Sequence, residues 1–221
     1  MDILVIVKRI DMSDNSPTKK LMDIADKTAL DLAIGLRDKH GHGNSTVSVL
    51  CIAPAVASDV IRECYSLGAD TAYMLSDPAF ESIDLNGLIS LLSGGIGFIG
   101  KCDAIIMAST SDDTVLVDVG KKLAEMIKFS HYSGVDSFEG TSNKIILKGK
   151  KGEKEIVEAP VLINLVCDEE QYIHNAMRIM KAFKKEIRMI TAKDLELKNK
   201  AENNIESENF VLNTNSKKNK Y

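Results

Sequence analysis

Residues 103–120 read DAIIMASTSDDTVLVDVG, and this stretch decides the fold because it passes from a strand through a loop into a helix. The apolar run at 104–107 is short enough for a buried parallel strand. Hydroxyl and acidic residues follow it, and an amphipathic segment with helical spacing comes next. In open parallel sheets, ligands bind beyond the carboxyl ends of the strands. We therefore take this loop as the first candidate site.

The residue types of this loop allow two interpretations. The unpaired amides at the start of the following helix could hold an anion or a ribose. Serine, aspartate and threonine are also ordinary helix N-caps, and this structural interpretation is the one the loop alone favours. The candidate positions are Ser109, Thr110, Ser111, Asp112, Asp113 and Thr114.

Composition narrows the functional class. With 221 residues and 44% hydrophobic content, the chain can bury a sizeable core, and we expect a globular protein. A net charge of −4 with dispersed basic residues argues against nucleic-acid binding. The four cysteines have no CxxC spacing, which predicts buried thiols in a reducing compartment. The histidines lack nearby ligand partners, so we expect no metal site.

The chain begins with a strand pattern rather than with a secretory signal, which predicts a cytoplasmic protein. The weakly polar segment at 88–100 is too short and too rich in glycine to span a bilayer, so we expect no membrane insertion. Its glycines follow a helical stretch, which predicts a helix C-terminus rather than a phosphate loop. Neither GxGxxG nor GxxxxGK[ST] occurs at the start of a helix.

Short strand patterns alternate with longer segments of helical spacing in the first half. Strands are predicted at 3–7, 46–52, 71–75 and 104–107. This alternation predicts a right-handed parallel sheet with helices on both faces, a Rossmann-like α/β domain.

The second half differs from the first. Residues 144–147 and 155–157 flank a polar turn and predict a β-hairpin, and 161–166 predicts a strand that returns to the main sheet. The cationic segment at 178–185 looks like a helix end, and a short strand is expected near 187–191. We expect a single domain over 1–192 and a polar tail over 193–221 that is disordered or docks on a partner.

Several segments, in order, resemble the beta subunit of electron transfer flavoproteins. ILVIVKRID at 3–11 and DKTALDLAIGLRDK at 26–39 look like the opening strand and first helix of that family. VSVLCIAPAVASDVIRECYSLGAD at 47–70 is the most specific match, through its closing Leu-Gly-Ala-Asp. APV at 159–161 and RIMKAFKKEI at 178–187 resemble later segments, so the resemblance covers most of the chain.

The resemblance implies a mostly parallel three-layer sandwich of the adenine nucleotide alpha hydrolase-like type, with a small β-hairpin appendage. It also implies a heterodimer in which an alpha subunit holds most of the FAD contacts, and a redox partner of the acyl-CoA dehydrogenase type. Beta subunits of the family bind AMP, or a second FAD, themselves. By position, the candidate cofactor-binding residues are Ile6, Asp23, Asp26, Thr110, Ser111, Asp112, Asp113, Thr114, Asp118 and Gly120.

The nucleotide-binding positions depart from the family pattern. Asp23 and Ile24 replace an Asn-Pro pair, and an acid at that place would repel a phosphate. Residues 108–110 replace a Gly-Lys-Gln type of sequence, and 118–119 replace Gln-Thr. These changes argue against AMP or a second FAD in this chain. In the partner loop, the apolar anchor position is Ala176, which predicts weakened or redirected recognition of the usual dehydrogenases.

Three functional hypotheses follow. The first is an electron-carrying subunit with no acid or base chemistry of its own, which explains the whole chain. The second is a structural or scaffold subunit that kept the fold and lost the nucleotide. The third, a free adenine-nucleotide sensor, is disfavoured by the altered loop.

Overall fold

A computed structural model describes residues 1–8, 22–40, 45–80, 83–110, 113–141, 144–167 and 182–196. Four main helices and nine strands lie in these ranges, with a short helix at 192–196 and 3-10 turns at Ala55–Ala57 and Pro78–Phe80. In chain order they are β1 (Asp2–Val7), α1 (Ile24–His40), β2 (Thr46–Ile52), α2 (Asp59–Leu67), β3 (Thr71–Leu75), α3 (Leu85–Ile99), β4 (Ala104–Ser109), α4 (Thr114–Ile127), β5 (Ser130–Thr141), β6 (Lys144–Gly149), β7 (Lys154–Glu158), β8 (Val161–Val166) and β9 (Arg188–Ile190).

All nine strands belong to one sheet, in the order β7-β6-β5-β8-β4-β1-β2-β3-β9. Strand β1 pairs in parallel with β2 on one side and with β4 on the other. The chain moves outward from β1 through β2 to β3 and then crosses back to β4. The strand order therefore reverses between β1 and β4, and a crevice at such a reversal is the usual ligand position in open α/β sheets.

The central strands are buried because helices cover both faces of the sheet. Val5 of β1 belongs to the apolar cluster that α1 and α2 complete, with Ala29 and Val60 among its members. The neighbouring Leu4 faces the opposite cluster, which contains Leu92 of α3 and Leu123 of α4. Because both faces are covered, these strands are continuously apolar rather than alternating. The predicted Rossmann-like three-layer α/β fold is confirmed.

The sequence patterns did not predict β5. Its residues are largely polar, and the pairing with β8 shifts register between Tyr132 and Val135, where Gly134 has a φ of 71°. Such a bulge breaks the alternation that marks a strand. The first part of β5 pairs in parallel with β8 and the later part antiparallel with β6. The predicted hairpin of β6 and β7 is present, and β5 joins it to the main sheet.

The glycines near the end of α3 have different roles. Gly100, with a φ of 99°, follows the helix as its C-cap, as the sequence predicted. Gly94, Gly95 and Gly97 lie inside the helix, so for them the prediction of a helix end is wrong. A Cβ on Gly95 would stand 2.9 Å from Cδ1 of Leu75, so glycine allows α3 to pack closely on β3.

None of the helices in the described ranges is both long and apolar enough to cross a membrane.

Candidate functional site

Lys8 lies at the reversal of strand order, directly after β1. Its Nζ is 2.8 Å from Asp26 Oδ1 and donates a 2.6 Å hydrogen bond to the carbonyl oxygen of Ala108 in β4. Its backbone N–H donates a 2.7 Å bond to Asp26 Oδ2. Because Asp26 belongs to the first turn of α1, one lysine joins β1, α1 and β4 at the mouth of the crevice.

The two partners of this ion pair have different environments. Asp26 is fully buried, and burial raises the pKa of its carboxyl from 3.8 to about 6, although Lys8 acts to lower it. The Lys8 side chain is 36% exposed. Its ammonium carries three N–H donors, of which Asp26 and Ala108 accept two. Among the described residues, one donor of Lys8 is therefore left for water or a ligand.

Ser109 ends β4 beside this lysine. Its side chain is buried, and within the described part of the chain its Oγ has no hydrogen-bond partner. Its carbonyl oxygen accepts a 3.0 Å bond from the Cys167 N–H. A buried hydroxyl without a partner destabilises a fold by about 1–3 kcal/mol. Ser109 is thus a second polar group near the crevice whose hydrogen-bonding capacity is not used.

Asp113 caps α4. Its Oδ1 accepts a 3.0 Å bond from the backbone N–H of Leu116, and its own N–H donates to the Thr110 carbonyl at 3.2 Å. The structural interpretation of this loop, as a helix cap, is confirmed for Asp113. Thr110 and Thr114 flank the cap and are exposed, while Ser111 and Asp112 lie outside the described residues.

Asp23 has the corresponding place before α1. Its Oδ1 accepts from the Ala25 N–H at 3.3 Å, and its carbonyl oxygen accepts from the Lys27 N–H at 3.0 Å. Both helices that begin beside the crevice therefore start with an aspartate whose oxygens take up amide donors. A carboxylate at these positions satisfies the positive helix end that a phosphate would otherwise occupy.

Three other candidate residues lie in the core or on the outer side of α4. Ile6 is buried between Leu50 and Met107 of the neighbouring strands. Asp118 is exposed on α4. Gly120 lies against the Asn164 side chain of β8, and a Cβ there would overlap with its amide.

Asn164 is fully buried and holds α4 on the sheet. Its Oδ1 lies 2.7 Å from His131 Nε2 and its Nδ2 donates a 3.3 Å bond to the Leu116 carbonyl. The bond to Oδ1 requires the proton on Nε2 of His131, since an amide oxygen only accepts. Gly120 is therefore needed for packing around Asn164, a role that the sequence did not suggest.

The described residues do not fit a nucleotide phosphate. Asp26 already neutralises Lys8, and the carboxylates of Asp23 and Asp113 face the helix amides that would bind an anion. Among the described residues, what remains is the hydroxyl of Ser109, one N–H of Lys8 and the exposed hydroxyls of Thr110 and Thr114, and this set contains no cation without a carboxylate partner.

Lys8 lies within the stretch 3–11 that resembles the family's opening strand, but it is not among the predicted site residues. A lysine that directly follows an apolar first strand was the available signal, because the carboxyl end of that strand lies at the reversal. Ser109 belongs to the candidate loop at the end of β4 and is also a departure from the family pattern. Its lack of a partner depends on neighbours that are remote in sequence.

Residues 182–185, the described part of the cationic segment at 178–185, are fastened to α2 and to the turn before β3, while the rest of the predicted helix end lies outside the described residues. Nη1 of Arg62 donates a 2.8 Å bond to the Ala182 carbonyl, and Nζ of Lys185 lies 5.0 Å from the centroid of the Tyr65 ring. Lys185 also bonds the Ala69 carbonyl. These cations stabilise the chain ahead of β9. The predicted partner loop, including Ala176, lies outside the described residues.

Comparison with known proteins agrees with this architecture. The family model of the electron transfer flavoprotein domain matches residues 17–195. The beta subunit of the electron transfer flavoprotein of Thermoanaerobacterium thermosaccharolyticum is 28% identical over 214 residues, covering 89% of this chain and 81% of that protein.

Two further relatives have other names. The caffeyl-CoA reductase-Etf complex subunit CarD of Acetobacterium woodii is 29% identical over 146 residues, which is 66% of this chain and 55% of that protein. Protein FixA of Azorhizobium caulinodans is 24% identical over 180 residues, which is 76% of this chain and 63% of that protein. The match thus spans little more than half of CarD. The family model and these relatives together show that the chain belongs to the electron transfer flavoprotein family, as a beta-like member.

Proposed function

We propose that this chain is the beta-type subunit of an electron-transferring complex, in which an alpha-type subunit carries FAD. The family match over residues 17–195 carries this proposal, because it covers the sheet and its helices rather than one motif. The relative CarD is named as a subunit of a reductase-Etf complex, which supports an assembly of several subunits here. In this role the chain passes electrons between dehydrogenases and acceptors and catalyses no reaction on a substrate of its own.

The residues at the crevice support a positioning role. FAD, when bound to the partner, supplies the electron storage. Lys8 and Asp26 hold together the carboxyl ends of β1 and β4 and the start of α1. This fixes the surface at the carboxyl ends of the strands, against which a partner subunit would pack. AMP or a second FAD in this chain is disfavoured by the capping carboxylates of Asp23 and Asp113.

A structural subunit without any nucleotide is the alternative function. The same pair of capping aspartates favours this alternative. Their carboxylates occupy the helix ends that would bind a phosphate, while the sheet and its helices are kept, and a fold can be kept without the ligand of its family. Under this alternative the chain stabilises a partner or an enzyme assembly and carries no electrons.

Co-expression with an adjacently encoded alpha-type subunit separates the two functions. We expect a yellow complex with a flavin absorption spectrum that bleaches on reduction and recovers on oxidation. The alpha-type subunit purified alone is the matched control for flavin content. A stable complex that stays colourless after reconstitution with FAD would refute the electron-transfer role and support the structural one.

The nucleotide content of this chain is tested independently. We expect the chain, purified alone and then heat-denatured, to release neither AMP nor FAD. Calorimetric titration with AMP, ADP and FAD should show no binding. Released nucleotide in amounts equal to the protein would contradict the interpretation of the capping aspartates.

We further propose a cytoplasmic location and a redox partner of the acyl-CoA dehydrogenase type. The four cysteines are buried thiols, as is usual in a reducing compartment. The partner is tested by mixing the reconstituted complex with a reduced acyl-CoA dehydrogenase and following flavin reduction. No electron transfer at any ratio would exclude this class of partner.

A further inference from the structure

An aromatic side chain stands exposed on a turn ahead of β9. Phe183 is 69% exposed, more than any other aromatic side chain in the described part of the chain. The turn at 182–185 is closed by a 3.3 Å hydrogen bond from the Lys185 N–H to the Ala182 carbonyl. Phe183 and Lys184 are its two corner residues, and both are exposed. A single exposed apolar side chain is common on protein surfaces, and what distinguishes Phe183 is how firmly its turn is held.

Side chains of α2 hold the backbone of this turn. Nη1 of Arg62 donates a 2.8 Å bond to the Ala182 carbonyl and a second bond to the Lys185 carbonyl. The Tyr65 hydroxyl donates to the Glu186 carbonyl. Ala182 is itself buried beneath the turn. The corner residues therefore project from a backbone that is already fixed, and it loses little conformational freedom when another protein binds there.

The surface around the turn is cationic. Residues 182–188 contain three basic side chains and one carboxylate, although the whole chain has a net charge of −4. Lys184 and Arg188 are exposed, whereas Nζ of Lys185 bonds back to the Ala69 carbonyl. This local excess of positive charge attracts an acidic surface and repels the same turn of a second copy of the chain.

We propose that Phe183 is an anchor residue for the redox partner, and that it inserts into an apolar pocket surrounded by acidic side chains on that protein. The proposal rests on the proposed function, in which this chain exchanges electrons with another protein. Interface anchors are commonly aromatic side chains that fill a pocket at the centre of a polar rim. Arg62 and Tyr65 are positioning residues, because they act through the turn that carries the ring.

This surface is separate from the candidate crevice. The turn precedes β9, which is the end strand of the sheet, whereas the crevice lies between β1 and β4. A substitution at Phe183 therefore leaves the contacts of Lys8, Asp26 and Ser109 in place.

The test measures electron transfer from a reduced acyl-CoA dehydrogenase to the reconstituted flavin complex. Phe183→Ser should raise the KM for the complex by about tenfold or more and leave kcat within about twofold. Phe183→Leu keeps an apolar side chain and should restore most of the affinity. Because the ring is exposed, the urea midpoint and the flavin content should stay at the wild-type values.

Two further variants separate charge and positioning from the ring itself. Lys184→Glu should raise the KM at low ionic strength, with an effect that shrinks as salt screens the charges. Arg62→Met releases the Ala182 carbonyl and should also raise the KM. Combined with Phe183→Ser it should add little, since both changes act through one anchor.

The matched control is Ile156→Ser, because Ile156 is 65% exposed on β7 at the opposite end of the sheet. Its KM should equal that of the wild-type complex. A KM for Phe183→Ser within about twofold of wild type, or an equal rise in Ile156→Ser, overturns the proposal and leaves the proposed function standing. A yellow wild-type complex that receives no electrons from the dehydrogenase overturns this anchor together with that class of partner, whereas a colourless complex refutes the electron-transfer role itself.

Discussion

Replacing Asp26 by asparagine should remove a pH-dependent loss of stability. In the folded protein the pKa of Asp26 is raised from 3.8 to about 6, chiefly by burial. The folded state therefore holds this proton more tightly than the unfolded chain, and folding takes up a proton between about pH 4 and 6. Stability from this group is highest below that range and falls as the pH rises through it.

The expected size follows from the two pKa values. The difference between 3.8 and about 6 corresponds to roughly 3 kcal/mol of unfolding free energy, at about 1.4 kcal/mol for each pH unit. Asp26→Asn keeps the shape of the side chain and cannot ionise. We expect the stability of the wild-type protein, relative to Asp26→Asn, to fall by about 2–2.5 kcal/mol between pH 4 and pH 7, which is most of this difference.

The assay is urea unfolding at a series of pH values, followed by far-ultraviolet circular dichroism because the chain has no tryptophan. A second variant, Lys8→Met, removes the cation that lowers the pKa of Asp26 and should move the transition to higher pH. A stability difference that stays constant from pH 4 to 7, or that rises with pH, would refute the reasoning. It would mean that the pairing with Lys8 outweighs the burial of the carboxylate.

Two further substitutions test the packing and the capping of α4. Gly120→Ala should destabilise the protein by about 2–4 kcal/mol, because the new methyl group displaces the buried Asn164 amide. Gly35→Ala, with open space around the new methyl group, should stabilise the protein by about 0.5–1 kcal/mol. Equal urea midpoints for the two variants would contradict this. Asp113→Ala should cost about 1 kcal/mol through the lost N-cap, while Thr114→Ala leaves the unfolding free energy nearly unchanged. An unchanged stability in Asp113→Ala would show that the cap is not needed.

Much of the fold could be predicted from local patterns. The strands that became β2, β3 and β8 were placed with the bounds that the structure has, because short apolar runs between helical segments are distinctive. Strand β5 was missed, since its bulge and its polar residues remove the alternation. The prediction of a helix end is also wrong for the glycines inside α3, and for Gly95 the reason is the close approach of Leu75 from another strand.

In the candidate site, too, contacts between residues close in sequence could be predicted, and contacts between distant residues could not. The cap at Asp113 was predictable, because a capping aspartate bonds an amide only three residues away. The bond from Lys8 to the Ala108 carbonyl joins residues one hundred positions apart, and it exists only because β4 is placed next to β1. The contact of Gly120 with Asn164 likewise depends on α4 crossing β8.

The sequence by itself determined the alternation of strands and helices, the family resemblance and the loop that follows β4. These depend on spacing along the chain and on the φ and ψ preferences of short segments. Only the tertiary structure decided what that loop and its neighbours do. Strand order brings Lys8, Asp26 and Ser109 together at the reversal, where burial and the capping carboxylates set their electrostatics. Charge balance in a buried crevice depends on neighbours distant in sequence, and no local pattern encodes them.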